Sequence, residues 1–230
     1  MSELWAAPDR TVPLLTDIIP LREGGEFDTG LWKIDLATLG GLIGGSGYER
    51  TRIIPEAADF TLDNANGATI TDGTYGLTLE VPTGTNGIRF VRSNTPAPGA
   101  PFRAIARMRP LSPEVGSNLY HCCMIARNSA NGRIMIMGNY NRDILIQGFT
   151  SFTAYSFGLY GVGVVDYPTW LSIRVDATHI YFGCSWDGET FYDFSSDTLG
   201  SFMLTVDEIG FGCFMNGVKC VDIFQSFEVI

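Results

Sequence analysis

The stretch Trp186-Asp187-Gly188-Glu189-Thr190-Phe191 holds two carboxylates one residue apart, between a tryptophan and the pair Phe191 and Tyr192. Two carboxylates about 5 Å apart can share nucleophilic and acid/base work in glycoside hydrolysis. Asp187-Gly188 also makes a hairpin turn, because glycine tolerates the positive φ that such turns require. A turn's twist does not hold two side chains parallel on a sheet face, so the turn alone accounts for Asp187, Glu189 and Thr190.

The histidines offer less. His121 precedes Cys122 and Cys123, but neighbouring residues of a strand face opposite ways, so His121 cannot pair with Cys122. Cys123 shares the face of His121 at a spacing of about 6–7 Å, outside hydrogen-bond reach. His179 falls in a turn. Cys122, Cys123, Cys184, Cys213 and Cys220 form an odd set without metal-like spacing. They read as small buried thiols in a reducing compartment, and neither a metal nor a cofactor is expected. Asp166, Asp187, Asp193 and Asp197 offer oxygens, but their spacing does not make a complete calcium loop.

Sugar binding needs an exposed aromatic platform beside hydrogen-bonding groups, because a pyranose presents one apolar face and a rim of hydroxyls. Asn139, Tyr140, Asn141 and Arg142 lie in GNYNRD, and Trp186 and Tyr192 flank the later hairpin. Asn and Gly also make turns on their own account. Both readings stand at this point.

The elements that position these residues are strands. Leu171, Ile173 and Val175 alternate with Ser172, Arg174 and Asp176. Ile180, Phe182 and Cys184 then alternate with Tyr181, Gly183 and Ser185, with Asp176–His179 as the turn between. That period of two predicts strands lying over a core. From about residue 51 onward, short runs rich in Ile, Val, Phe and Tyr recur between Gly, Asn and Asp. They are ATITDG, YGLTLEV, GIRFVRS, FRAIARMRP, NLYHCCMIARN, GRIMIMGNY, DILIQGF, WLSIRVDA, HIYFGCSWD, FMLTVDEIGFGCF and CVDIFQSFEVI. The expected fold class is an all-β sandwich or barrel.

Residues 1–50 differ. Pro8, Pro13 and Pro20 bracket the apolar Leu14, Leu15, Ile18, Ile19 and Leu21, and proline at that density blocks long helices and central strands. An extended arm is expected. Gly40, Gly41, Gly44, Gly45 and Gly47 follow, but Tyr48, Glu49 and Arg50 stand where a phosphate loop needs lysine and a hydroxyl residue. A turn or close backbone packing is expected there instead.

The chain has 230 residues, 45% hydrophobic and 17% charged, enough apolar material for a sizeable core. Fifteen Lys and Arg against 25 Asp and Glu give a net charge of -10. A field of that sign repels phosphate and anionic lipid, so nucleic acid and membrane are not expected partners. The start MSELWAAPDR lacks the charged and apolar regions of a secretory signal.

The pattern W-L-x-I-x-V, a short turn, an aromatic strand and Trp-Asp-Gly-Glu-Thr-Phe resembles the concanavalin A-like lectin/glucanase sandwich, particularly its laminin-G-like jelly rolls. Ile209-Gly210-Phe211-Gly212 and the closing CVDIFQSFEVI resemble that family's last two strands. The resemblance implies a concanavalin A-like β-sandwich jelly roll over residues 51–230. The Glu-x-Asp-x-x-Glu pattern of its retaining glucanases is missing. The arm, TVPLLTDIIPLREGGEFD, resembles the attachment segments of phage tail-fibre proteins. That second resemblance implies a non-enzymatic virion component, such as a tail-fibre, head-fibre or decoration protein. Its arm would be held by other virion proteins, and homo-oligomers, trimers among them, would be usual. The alternative expectation is a carbohydrate-binding module, which could recognise a host surface glycan. Glycoside hydrolysis comes third.

Overall fold

A computed structural model describes residues 52–113, 120–140, 143–163, 168–217 and 219–230. The expected arm with Leu14, Leu15, Ile18, Ile19 and Leu21, and the glycine-rich segment 40–47, lie outside the described residues. So do Asn141, Arg142 and Asp166.

After a 3-10 turn at Ala57–Asp59 come fourteen strands among the described residues. They are β1 (Phe60–Asp63), β2 (Thr69–Gly73), β3 (Gly76–Val81), β4 (Asn86–Ser93), β5 (Phe102–Pro113), β6 (Tyr120–Arg127) and β7 (Ile134–Tyr140). The rest are β8 (Asp143–Phe149), β9 (Tyr155–Gly163), β10 (Trp170–Val175), β11 (His179–Ser185), β12 (Tyr192–Thr198), β13 (Glu208–Asn216) and β14 (Cys220–Val229). Two seven-stranded sheets result. The first runs β1-β4-β13-β6-β7-β8-β9, the second β12-β11-β10-β5-β14-β3-β2. Successive strands often fall in opposite sheets, as in a jelly roll, so neither sheet can form without the other.

Most expected runs are strands; in β10 and β11 the apolar phase faces the core as expected, but Ser172, Gly183 and Ser185 of the other phase are buried as well. Ile173, Val175, Ile180 and Phe182 are buried in the main core, while Arg174 and Tyr181 are only partly covered. Three strands were not expected: β1, β9 and β12. FMLTVDEIGFGCF is corrected in part. Met203 and Val206 are buried, yet the strand begins only at Glu208.

The core between the sheets is tied by an aromatic cluster. Phe211 of β13 stacks on Phe224 of β14 with centroids 4.0 Å apart, and Phe60 and Phe227 close round it at 4.9 and 5.3 Å. The first sheet is also apolar on its outward side. Ile88, Phe90, Cys123, Ile125, Ile134, Ile136 and Phe149 form a second buried cluster with Phe152 and Phe214 against it. Cys122 belongs to the main core and Cys123 to the second cluster, so the adjacent thiols do face opposite ways. All five cysteines are free and buried.

Candidate glycan-binding face

The outward side of the first sheet offers a buried apolar centre, whereas that of the second sheet offers polar and aromatic groups. Arg103 and Arg174 share the paired position Arg174↔Arg103 on β5 and β10, and Tyr181 lies opposite Arg174 on β11. All three occupy the polar phase of their alternation, so the ladder itself sets them in one row.

The fourth member comes from an irregularity. Phe182 pairs with Ser195 but Gly183 pairs with Asp193, so Phe194 is an extra residue in β12. Such a bulge re-aims the side chains beside it. Asp193 is laid over Gly183, where a Cβ would stand only 2.7 Å from Asp193 Oδ1 and 2.9 Å from Ser172 Oγ. A side chain there would displace the Asp193 carboxylate from its place over the strand.

Arg174 donates from Nε and Nη2 to Asp193 Oδ2 at 2.9 and 2.8 Å, and Arg103 Nη2 reaches Oδ1 at 3.4 Å. The Arg174 guanidinium also lies 3.6 Å from the centroid of the Tyr181 ring, and Arg103 lies over Phe191 at 5.4 Å. A forked guanidinium held by both a carboxylate and a ring face is fixed in orientation. Further along the same face, Trp170 of β10 is fully buried opposite Arg107 of β5, whose guanidinium lies over its ring at 5.6 Å.

Two large aromatic side chains stand out from this region. Trp186 is 51% exposed and Tyr192 is 62% exposed. They flank the turn between β11 and β12, whose geometry Asp187 fixes. Its Oδ1 accepts hydrogen bonds from the backbone N–H of Glu189 and Thr190 and from the Ser185 hydroxyl, at 2.8–2.9 Å, and Ser185 Oγ accepts from Gly188 N–H. The donated bonds from Thr190, then Glu189 and Ser185, hold the Asp187 carboxyl below its ordinary range. Asp176 forms the equivalent turn before β11, accepting from the N–H groups of Thr178 and His179. The expected turns are therefore present, with Asp187 engaged by its neighbours.

This makes a pH prediction. A carboxyl whose pKa is depressed by folding stabilises the fold above its unfolded value, near 4, and loses that contribution as pH falls through the folded value. Asp187→Asn should lower the melting temperature at pH 7, and the gap to the parent should shrink steadily below pH 4. A gap of constant size down to pH 2 would show that the charge of Asp187 is irrelevant.

The expected sugar residues divide. Trp186 and Tyr192 belong to the second sheet's β11–β12 hairpin. Asn139 and Tyr140 end β7 in the first sheet, so the two hairpins do not make one row of a single sheet. Nothing is described of the side chains of Asn139, Tyr140 or His121. Of the residues considered for calcium, Asp193 is held by arginines and Asp187 by its turn. The sequence reading did not bring Arg103, Arg174, Tyr181 and Asp193 together, and took Asp193 only as a possible calcium oxygen. The alternation of β5, β10 and β11 was a usable signal for the first three; nothing in the sequence marks the bulge that brings in Asp193.

No known protein-family model and no curated protein matches the sequence. Solved structures of similar fold exist. A functionally unknown protein from Saccharomyces cerevisiae superposes with a TM-score of 0.56 at 13% identity, covering 76% of this chain and 98% of that one. An engineered GH43 glycoside hydrolase superposes with a TM-score of 0.52 at 15% identity, covering 90% of this chain but 42% of that one. The VIP36 exoplasmic/lumenal domain in its Ca2+/Man-bound form is more distant, with a TM-score of 0.49 at 8% identity over 75% of this chain and 82% of that one. The described residues form a concanavalin A-like, jelly-roll type of sandwich.

Proposed function

We propose that this chain is a non-catalytic carbohydrate-binding sandwich whose site is the outward end of β10, β11 and β12. The observation that carries the proposal is the exposure of Trp186 and Tyr192 at the β11–β12 hairpin; β12 also supplies Asp193, which is held by Arg174 of β10 and Arg103 of β5. The exposed rings at the hairpin would cover the apolar face of a pyranose, with the polar groups of the turn at its rim. Asp193 has arginines as its partners, and Asp187 is engaged by turn donors. Neither is set up as the free acid of a hydrolytic pair, which favours binding over turnover. The hydrolase activity in the name of the GH43 structure lends support only to carbohydrate as the ligand class.

The virion-anchoring expectation rests on residues 1–50, outside those described, and none of the similar structures leads toward it. The sugar-binding reading stands ahead of it.

Trp186→Ala and Tyr192→Ala should each weaken a bound glycan at least about tenfold by titration calorimetry, the cost of truncating one aromatic anchor. Tyr75→Ala, at a 70% exposed tyrosine between β2 and β3, should leave affinity unchanged. Equal affinities for all three variants and the parent would move the site elsewhere.

A further inference from the structure

Inside the sandwich, where the chain crosses from β13 of the first sheet to β14 of the second, lies a cluster unrelated to the glycan face. The ligand atoms of Cys213, Cys220 and Asp222 all stand within 4.8 Å of one another, and all three residues are buried. Cys213 Sγ and Cys220 Sγ are 3.6 Å apart. Cys122 lies opposite Cys213 in the β6–β13 ladder and faces the same core, near enough to Asp222 for a hydrogen bond.

We infer that Cys213, Cys220 and Asp222 form a structural zinc site, with the sulfur of Cys122 beside it as the fourth ligand position. The distances exclude one sulfur chemistry. A disulfide needs about 2.05 Å between sulfurs. Two thiolates on one tetrahedral zinc, each about 2.3 Å from the metal, stand about 3.8 Å apart. The observed 3.6 Å, at which Cys220 Sγ donates to Cys213 Sγ, is too long for a disulfide and needs little adjustment to become the second. A carboxylate oxygen with two sulfurs is a donor set zinc accepts, and harder cations such as calcium and magnesium do not.

A second, independent feature points into the same place. Arg89 on β4 lies opposite Cys213 on the side away from Cys122. Its side chain is fully buried. Its Nη1 donates to the carbonyls of Asn86 and Ile88 at 3.1 and 3.4 Å, while Nε and Nη2 find no acceptor among the described residues. A buried guanidinium with two of its nitrogens unbonded is costly. Zinc with three thiolates and one carboxylate carries a net charge of about -2, which the guanidinium partly offsets, and metal-bound sulfurs accept N–H bonds from just such an outer group. Binding displaces the thiol protons of Cys122, Cys213 and Cys220, so three protons leave as one zinc ion enters. The site would join the sheets at their crossover, loaded as the chain folds.

The test uses the full chain, folded with zinc present and passed through gel filtration. Metal analysis should find about one zinc per chain. Replacing zinc with cobalt should give a sulfur-to-cobalt absorption band in the near ultraviolet. The double variant Cys213→Ser/Cys220→Ser should lose both signals, and Cys184→Ser should keep both. The parent protein decides the matter even if the double variant fails to fold. A folded parent with under about a tenth of an equivalent of zinc, or one that has lost two titratable thiols to a disulfide, overturns the site.

Discussion

Phe211→Ala should cost the sandwich about 3–5 kcal/mol, the range for truncating a fully buried phenylalanine. Phe211 is wholly inaccessible and touches both sheets' aromatic residues, stacking on Phe224 and meeting Phe60 and Phe227. Its loss removes transfer free energy and leaves a cavity bounded by rings on neighbouring strands, which cannot collapse without shifting a sheet. For a domain of this size the cost corresponds to roughly 6–20 °C in melting temperature, at about 2–4 °C per kcal/mol. Phe211→Leu keeps most of the volume and should lose less than half as much. Thermal unfolding followed by circular dichroism checks both. A Phe211→Ala shift below about 3 °C would mean that the sheets are held together elsewhere.

Gly212→Ala acts through the backbone instead. Gly212 is in β13 between Phe90 of β4 and Cys123 of β6. A Cβ built there runs into the carbonyl oxygen of Arg89, with the Ile125 side chain at 3.0 Å on the other side. Backbone cannot rotate away as a flexible side chain can, so β4 must be pushed off β13 or the ladder bent. The expected loss is about 3 kcal/mol or more, the upper range for overpacking. Gly99→Ala is the matched control. A Cβ at Gly99 meets nothing within 4 Å, and its effect should stay within about 0.5 kcal/mol. Chemical denaturation of the two variants separates the explanations. A Gly212→Ala protein as stable as the Gly99→Ala protein would show that β4 and β13 are looser than the ladder implies.

The strands that were legible in the sequence are those with an apolar phase of two or a continuous apolar run. WLSIRV and HIYFGCS announced themselves because the core takes every second side chain. YDFSSDT did not, since β12 is an edge strand with no fully buried residue and a polar sequence. Nor did YSFGLYGVG, the other sheet's edge, where glycine interrupts the pattern. FTLD is too short to show a period. Conversely, Met203 and Val206 are as apolar as strand residues, but they are buried from a loop.

The candidate face shows the same division. Trp186 and Tyr192 could be named from sequence because they flank a turn that Asp187-Gly188 encodes locally. The Arg103–Asp193 contact spans 90 residues and depends on the order of four strands together with one extra residue at Phe194. Local spacing carries no trace of such a meeting. The Cys213, Cys220 and Asp222 cluster was invisible for a related reason. Its members sit on two different sheets, and their proximity follows from the crossover between them, not from a metal-like spacing.

The measurement closest to the central claim is a broad glycan array probed with the full chain and, in parallel, with Trp186→Ala/Tyr192→Ala. The account predicts that the parent retains at least one class of glycan and that the double variant, equally folded by circular dichroism, retains none. A blank array for the folded parent, or the same glycans held by both proteins, would contradict it.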